Sequence, residues 1–392
     1  MQAFLRTEKR IQDTIGKINY ILLTIGIVIL AVVVRIFLFN YESFDYMDFL
    51  SPWYDFIKSN GGFAALKYEF SNYSPAYLYL LAICTYLPIP KLYAIKMISI
   101  LFDFLAAYFV YMIVREKFRN SKLIPLSASF VMLFAPTVIM NGAMWAQCDI
   151  IFTCWLLASI LYLIRKDYFK AFIFYSIAFS FKLQAIFLLP LFVILYFKRR
   201  FSILNFLMIP GMYILLSVPC LIAGRPLSEI LLIYVFQTTT YEHLTLNAPN
   251  LYQWIPIYDI ETNIAAVAFA MAVVLMFCFI CYKCLKDTDS STIIKLSTVL
   301  LLLVPYVLPK MHERYFFPAD ILSIIYAFYF PKYFYLPVVV VLVSYFSYYP
   351  YLFPDSPYIN LGHLAFALLV IIAIVGRDLY NTCFIKNVCD ES

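Results

Sequence analysis

The sequence predicts an all-α polytopic membrane protein with about twelve transmembrane helices, within a range of roughly eleven to thirteen. The chain of 392 residues is 64% hydrophobic and only 13% charged, and its mean hydropathy is +0.85. The apolar residues form blocks of about 15–22, close to the ~20 that cross a hydrocarbon core as a helix. Aromatic residues make up 19% of the chain, which is typical of broad interfacial belts. This composition excludes soluble enzymes, nucleic-acid-binding proteins and β-barrels, whose strands would alternate in polarity.

The apolar blocks and the charges between them predict the orientation. The predicted spans cover residues 20–38, 93–114, 123–140, 150–164, 168–181, 183–197, 203–223, 264–282, 293–308, 315–330, 333–349 and 363–376. The segments on the N-terminal side are then 1–19, 115–123, 165–170, 198–200, 283–295, 331–332 and 377–392. They carry 20 Lys and Arg against 9 Asp and Glu, whereas the rest of the chain carries 9 against 14. Because cytoplasmic segments are enriched in Lys and Arg, both termini are predicted to be cytoplasmic.

A shorter apolar stretch, residues 75–88, is predicted not to cross the membrane. It holds only about a dozen apolar residues, which is short for a span. Counting it as a span would place cations such as Arg115 and Arg199 outside, against the orientation rule. We therefore predict a re-entrant or juxtamembrane helix within a long first outer loop, residues 39–92, packed against protein.

The predicted organisation has five parts and no separate soluble domain. They are a cytoplasmic N-terminal segment (1–19), a membrane module that includes the first outer loop (20–223), a second outer loop (224–262), C-terminal membrane helices (263–380) and a cytoplasmic tail (381–392). The first apolar block lacks a small-x-small cleavage site, so we expect a retained span. Asp103, near mid-depth of the second span, is expected to find its partner on another helix.

Ionisable residues near a membrane are costly unless partnered, so their clusters are candidates for function. The first outer loop has four acids between residues 42 and 55, interleaved with aromatic residues that include Trp53 and Tyr54. Asp45 and Asp48 are three apart, so they could share a helical face or a metal ion. A solvated interfacial loop would have the same composition.

Three further polar sites fall on the same predicted face. Asn72 and Tyr73 precede Pro75, where helix capping is the alternative explanation. Gln147 and Asp149 come next, and Asp149 is expected to begin a helix, whose dipole favours a carboxylate there. Lys182, followed by Gln184, either snorkels to the interface or meets an anion in the membrane plane.

The densest polar cluster lies between two late spans. Lys310, His312, Glu313 and Arg314 fall within five residues, and Arg and His are planar donors suited to a phosphate. The second outer loop adds amides and an aromatic residue of the kind that bind sugars, although any interfacial loop has this composition: Asn250, Gln253 and Trp254.

Acids on one loop and cations on others, all at one membrane face, indicate that the two kinds of side chain have different roles in one reaction. A carboxylate can take a proton from an acceptor hydroxyl, and cations can stabilise a departing phosphate. Amphipathic aromatic surfaces can hold a lipid tail. Glycosyl transfer from a lipid-phosphate sugar needs all three.

The ordered motifs resemble the GT-C glycosyltransferase superfamily, and within it the bacterial integral-membrane relatives of the second mannosyltransferase of GPI-anchor biosynthesis. The motifs are Asp45-Tyr…Phe49-Leu-x-Pro52-Trp53-Tyr54, Phe70-Ser-Asn72-Tyr73-Ser-Pro75-x-Tyr77-Leu-Tyr79, Trp145-x-Gln147-x-Asp149, Phe181-Lys182-Leu-Gln184, Ala248-Pro-Asn250-Leu-Tyr252-Gln253-Trp254 and Lys310-Met-His312-Glu313-Arg314-Tyr315. The chain departs from the pattern at Ala146, where relatives have Gly, and at Ala76, where a second Pro is common.

The resemblance implies a GT-C-like bundle and an inverting single displacement. The donor would be a polyprenyl-phosphate hexose, most often mannose, and the acceptor a glycan or a glycolipid, at the extracytoplasmic face of the plasma membrane. By the match, Asp45 would be the catalytic base, and Asp48 would be either an alternative base or a helper. The donor phosphate would meet Lys182, Lys310, His312 and Arg314. Sugar or acceptor would contact Trp53, Tyr54, Asn72, Tyr73, Gln147, Asp149, Gln184, Asn250, Gln253, Trp254 and Glu313. Gln147, Asp149 and Glu313 would alternatively hold a metal ion, if there is one.

The sequence leaves cofactors and partners partly open. No cofactor is certain, and a divalent cation stays open because GT-C enzymes differ in metal dependence. The expected partners are the lipid donor, the acceptor and membrane lipid, with no nucleic acid and no identified protein partner. Two other functions fit the composition. One is a flippase or transporter of lipid-linked sugars, and the other is a polysaccharide polymerase or ligase that uses a lipid-diphosphate donor.

Overall fold

The structure, a computed structural model, describes residues 2–239, 243–255, 260–355, 357 and 359–389. Its α-helices are α1 Gln2–Ile36, α2 Ser51–Ser59, α3 Pro75–Cys84, α4 Lys91–Lys117, α5 Leu123–Leu133, α6 Pro136–Ile139, α7 Asp149–Ile164, α8 Tyr168–Phe181, α9 Leu189–Phe197, α10 Met208–Ala223, α11 Leu227–Thr239, α12 Ile260–Cys284, α13 Ser290–Val307, α14 Phe317–Tyr329, α15 Leu336–Leu352 and α16 Leu361–Cys389. Two π-helices, Tyr46–Leu50 and Met140–Met144, and 3₁₀ turns at Gly62–Lys67, Leu183–Leu188, Ile203–Leu207, Leu251–Trp254, Glu313–Phe316 and Pro331–Tyr333 complete the helical elements. Two short strands, β1 Thr245–Leu246 and β2 Met311–His312, pair in parallel.

The prediction of a polytopic, nearly all-α membrane protein is confirmed. Among the described residues, seven helices are long and apolar enough to cross a membrane, or eight if one bent pair counts as a span. Four further predicted spans coincide with α7, α8, α9 and α14, which have between 9 and 16 residues. The number of about twelve spans therefore stays a prediction. Part of the second outer loop (240–242 and 256–259) and the end of the tail (390–392) lie outside the described residues.

The span predicted over 123–140 is broken in the structure. Helix α5 and the helical segment Pro136–Met144 are bent by 55° relative to each other. The cause is local, because Pro136 opens the second segment and Ala135 before it is extended, at φ −61° and ψ 128°. The ring of a proline disfavours helical backbone in the residue before it. The bend carries residues 140–148 into the protein interior, where all of them are buried.

The helices divide into a central group and a peripheral group. Helix α7 is buried along almost its whole length, and 83% of the apolar window of α13 is buried. By contrast, α1, α10 and α12 are buried over only 11%, 17% and 22% of their windows. Their exposed residues are mostly Leu, Ile, Val, Phe and Met. Apolar surface of this extent is stable only against lipid, so these helices form the lipid-facing side of the bundle.

The first outer loop is fixed at its start by a buried lysine. Lys96 on α4 donates hydrogen bonds to the carbonyl groups of Leu38, Phe39 and Tyr41, at 2.9, 3.0 and 2.6 Å. Carbonyl groups after the end of a helix have no partner within it, so a lysine here supplies the missing donors. The contact sets where the chain leaves α1, and thereby where residues 42–55 begin.

A buried ion pair ties the first helix to the bundle. Arg35 Nε lies 2.8 Å from Asp103 Oδ2, with both side chains buried. The remaining donors of Arg35 reach the carbonyl groups of Ala31 at 3.1 Å and Leu133 at 3.0 Å. The expectation that Asp103 finds its partner on another helix is confirmed, and α1, α4 and α5 meet at this pair.

We predict that the Arg35→Met variant is destabilised by about 3–5 kcal/mol, because it leaves Asp103 as an unpaired buried charge. Adding Asp103→Leu should recover most of the loss. Unfolding followed by helical circular dichroism in detergent micelles measures the effect. The control is Lys91→Met, which breaks the exposed Lys91–Asp55 pair and should cost at most about 1 kcal/mol. Equal stability of the Arg35 and Lys91 variants would contradict the prediction.

Candidate functional site

The loop after α13 is held by a segment of the second outer loop. The pairing of β1 with β2 aligns Thr245 with Met311 and Leu246 with His312. Asn250 is buried behind it, and its side chain donates to the carbonyl of Leu308 at 3.3 Å. The side-chain oxygen of Asn250 also accepts from the backbone N–H of Tyr252, at 3.1 Å. Asn250 therefore shapes the loop that presents residues 312–314.

Asp45 is the acid of the first outer loop that reaches the interior. It precedes the π-helix Tyr46–Leu50, and its Oδ2 accepts hydrogen bonds from Trp145 Nε1 at 2.8 Å and from Gln147 Nε2. Its Oδ1 accepts from the hydroxyl of Tyr351, at 2.8 Å. Three neutral donors from two distant stretches of chain thus fix the orientation of the carboxylate.

Arg314 lies between three carboxylates. Its Nη1 is 3.1 Å from Glu313 Oε1 and 3.9 Å from Asp45 Oδ2, and its Nε is 3.6 Å from Asp149 Oδ2. The guanidinium carbon lies 5.5 Å from the ring centroid of Trp145, which supplies a cation–π contact. One cation therefore joins the first outer loop, the start of α7 and the loop after α13.

Asp149 and Lys182 form a second ion pair beside Arg314. Asp149 begins α7, as expected, and accepts a hydrogen bond from Asn141 Nδ2 at 2.9 Å. Its other oxygen contacts Lys182 Nζ. Lys182 follows α8 in extended conformation, and its Nζ lies 5.8 Å from the ring centroids of Phe152 and Tyr315. Lys182 therefore points into the protein and does not snorkel to the interface.

The protonation of the loop after α13 is set by its burial. Burial raises the pKa of Glu313 to about 7, against the opposing effect of Arg314. Burial, together with the charges of Arg314 and Lys182, lowers the pKa of His312 well below its usual value. His312, whose Nδ1 is 4.0 Å from Glu313 Oε2, is therefore neutral at pH 7. Arg314 and Lys182 carry the positive charge of the cluster.

An aromatic path leads from this cluster to an open groove. The ring of Tyr73 lies 5.1 Å from that of Trp53 and 5.0 Å from that of Tyr77, and the charges of Arg314 and Asp149 act on the Tyr73 hydroxyl. Trp53 in turn lines a groove of about 310 Å³. The groove is lined by Phe49, Trp53, Glu69, Phe70, Ser71, Asn72, Ile233 and Phe236.

Several predicted site residues are not brought into the cluster around Arg314. Asp48 is exposed, and no cation lies within 4 Å of its carboxylate among the described residues. Tyr54 is buried with its hydroxyl donating to the carbonyl of Cys84, at 3.3 Å. Lys310 donates to the carbonyl of Thr238, at 3.1 Å.

Gln253, Trp254 and Gln184, which were also predicted to contact sugar or acceptor, lie outside the cluster around Arg314 as well. Gln253 donates to the carbonyl of Ala248 at 2.7 Å, within its own loop. Trp254 is 45% exposed and packs close to Gly362 at the start of α16. Gln184 is buried, and within the described residues its side-chain oxygen accepts no hydrogen bond.

Tyr351, which the sequence does not indicate as a site residue, lies on α15 and is separated from Asp45 by 306 residues. Its ring stacks on Trp145 with centroids 5.2 Å apart and an angle of 24° between the planes. The chain has 34 tyrosines, and the aromatic run around Tyr351 resembles any interfacial belt. No local signal distinguishes its hydroxyl from the others.

Among the described residues, no three His, Cys, Asp or Glu side chains are placed so that they could hold a metal ion together. Comparison with protein-family models finds no matching family, and comparison with curated proteins finds no match either. The resemblance to GT-C enzymes therefore rests on the motifs alone.

We predict that Ala146→Gly stabilises the protein by about 1 kcal/mol, since Ala146 has a φ of 64° and non-glycine residues are strained in that left-handed region. Ala146 makes the turn that directs Trp145 and Gln147 onto Asp45. Unfolding in detergent measures the change. The matched control, Ala143→Gly in the buried Met140–Met144 segment, should cost about 1 kcal/mol. A loss of stability in the Ala146 variant would contradict the prediction.

Proposed function

We propose that the protein is a glycosyltransferase that moves a hexose, mannose being the first candidate, from a polyprenyl-phosphate donor to a glycan or lipid-linked acceptor. The site would face the extracytoplasmic side of the plasma membrane, with about twelve spans and both termini in the cytoplasm. The observation that carries the proposal is the convergence of Asp45 with Arg314 and Lys182 in one largely buried cluster. A base and phosphate-binding cations are the two groups that this reaction requires.

Asp45 suits the role of base because its orientation is fixed. Trp145, Gln147 and Tyr351 hold both carboxylate oxygens, so the acceptor hydroxyl would meet a preoriented acid by displacing one of these neutral donors. In the proposed step, the acceptor oxygen bonds to the anomeric carbon while its proton passes to Asp45. The bond from that carbon to the phosphate oxygen breaks on the opposite side, and the electron pair leaves with the phosphate.

Arg314 and Lys182 suit the departing phosphate. Both are now paired with carboxylates, so a donor phosphate would compete with Asp149 for Lys182 and with Glu313 for Arg314. Arg314 presents a planar set of donors that matches phosphate oxygens. Neutral His312 could add a hydrogen bond without adding charge. The pairs would hold the cations in place when no donor is bound.

The groove beside Trp53 suits the lipid part of the donor. Phe49, Phe70, Ile233 and Phe236 give it apolar walls, and Trp53 connects it to Tyr73 beside the charged cluster. A polyprenyl chain lying in the groove would bring its phosphate toward Arg314. The apolar walls favour an isoprenoid chain through burial of hydrocarbon surface.

We predict that Asp45→Asn inserts and folds normally but transfers sugar at least about 1,000-fold more slowly, because the amide cannot accept the acceptor proton. The assay follows radiolabelled mannose passing from polyprenyl-phosphate mannose to a glycan acceptor. Asp55→Asn, which affects only an exposed ion pair, is the matched control and should keep wild-type activity. Full activity of the Asp45 variant would remove this residue from the role of base.

We predict that the KM for the donor rises several-fold between pH 6 and pH 8. Glu313, with a pKa of about 7, is mostly neutral at pH 6 and mostly ionised at pH 8, where its charge repels the donor phosphate beside Arg314. The donor phosphodiester keeps one charge over this range. Glu313→Gln should abolish the rise, whereas Glu116→Gln, which alters a distant ion pair, should retain it. A rise that persists in Glu313→Gln would assign the effect to another group.

A further inference from the structure

A second buried arginine lies outside the proposed catalytic cluster. Arg225 follows the end of α10, where Gly224 reverses the chain with a φ of 107°. The backbone N–H of Arg225 donates to the carbonyl of Cys220 at 3.0 Å, which fixes its position. Its side chain is 0% exposed. The residue therefore sits in the junction between α10 and α11 as a fully buried cation.

The guanidinium of Arg225 lacks hydrogen-bond acceptors. Within the described residues, none of its three nitrogens donates a hydrogen bond. The hydroxyl of Tyr79, on which the charge of Arg225 acts, lies beside Cys220. The acid paired with it within the described residues is Glu229, whose Oε2 is 3.5 Å from Nε and whose side chain is 35% exposed. A buried guanidinium with five unmet N–H groups is costly, so this site favours an anion that accepts several of them.

The start of α11 adds to the attraction. Arg225 lies two residues before Leu227, where the helix begins, and Glu229 occupies the first turn. The first N–H groups of a helix lack internal partners and carry the positive end of its dipole. An anion at this end is therefore favoured by the helix as well as by Arg225. Among the described residues, Glu229 is the one acid paired with the guanidinium, and it meets it through a single long contact.

The surroundings of the junction favour a lipid as the source of the anion. Ile222, three residues before Arg225, is 81% exposed, and Leu215 on the same helix is 61% exposed. Leu231 and Val235 on α11 are also exposed. Exposed apolar side chains therefore lie on both helices that meet at Arg225, and α10 is one of the helices with little buried surface. Acyl chains can pack against them while a phosphate reaches the guanidinium.

We propose that Arg225 and the start of α11 bind the phosphate of a membrane phospholipid, with Glu229 occupying the guanidinium when no lipid is bound. Lipid binding would require the half-exposed Glu229 side chain to swing away. The site is separate from Arg314 and does not depend on the proposed transferase activity. It would anchor the junction between α10 and α11 to the surrounding membrane.

The test is lipid binding to the purified full-length protein in detergent, measured by native mass spectrometry and by the thermal unfolding midpoint. The probes are phosphatidylglycerol, diacylglycerol with the same acyl chains, and inorganic phosphate. Phosphatidylglycerol should bind and raise the midpoint by several degrees, whereas the other two should not. Stabilisation by diacylglycerol would overturn the phosphate assignment, and equal stabilisation by inorganic phosphate would overturn the lipid assignment.

Two variants and a control decide which residues are responsible. Arg225→Gln should weaken phosphatidylglycerol binding at least about tenfold, and Glu229→Gln should strengthen it several-fold because the competing carboxylate is gone. Lys332→Gln, which removes an exposed cation elsewhere, should change nothing. Unchanged binding in Arg225→Gln would overturn the proposal. If that variant does not fold, Glu229→Gln decides, and binding that is not strengthened there would overturn the proposal equally.

Discussion

The contact of Arg314 with three carboxylates is the interaction on which the geometry of the candidate site depends. Glu313, Asp149 and Asp45 lie 3.1, 3.6 and 3.9 Å from its guanidinium. Without this cation, three acids would be left close together in a region of low polarity, at a cost of several kcal/mol. An arginine stays protonated under all ordinary conditions, so the contact holds whether or not Glu313 is ionised.

The same contact explains why loops outside the spans matter to the site. Arg314 is presented by a loop that β1 and Asn250 hold from the second outer loop. Asp45 comes from the first outer loop, whose start Lys96 fixes at the end of α1. The membrane helices supply Asp149, at the start of α7. The charged cluster therefore forms only when both outer loops dock on the bundle.

The sequence predicted the helices and the charged members of the cluster for the same physical reason. In a chain with 13% charged residues, each charge near an apolar block stands out. Asp45, Asp149, Lys182 and Arg314 were all predicted on this ground, and the structure brings them together. Tyr351 could not be predicted, because a hydroxyl among many tyrosines carries no such signal. The break at Pro136 did have a signal, the proline itself.

The sequence also could not predict the directions in which loop side chains point. A polar residue in a loop does not show which way its side chain points, and so Asp48, Lys310 and Trp254 were grouped with residues from which the structure separates them. The prediction of the number of spans was limited by the lengths of the helices, because α8 and α14 have only 14 and 13 residues. Helices of that length are more typical of buried core than of a membrane span.

The most direct measurement is the release of polyprenyl phosphate by the purified protein, incubated with an acceptor and a panel of polyprenyl-phosphate sugars, with and without EDTA. A polyprenyl-phosphate-dependent transferase should release free polyprenyl phosphate in step with a glycosylated acceptor of inverted anomeric configuration. Movement of the intact donor across vesicles without cleavage, or turnover of lipid-diphosphate donors alone, would contradict the proposed function.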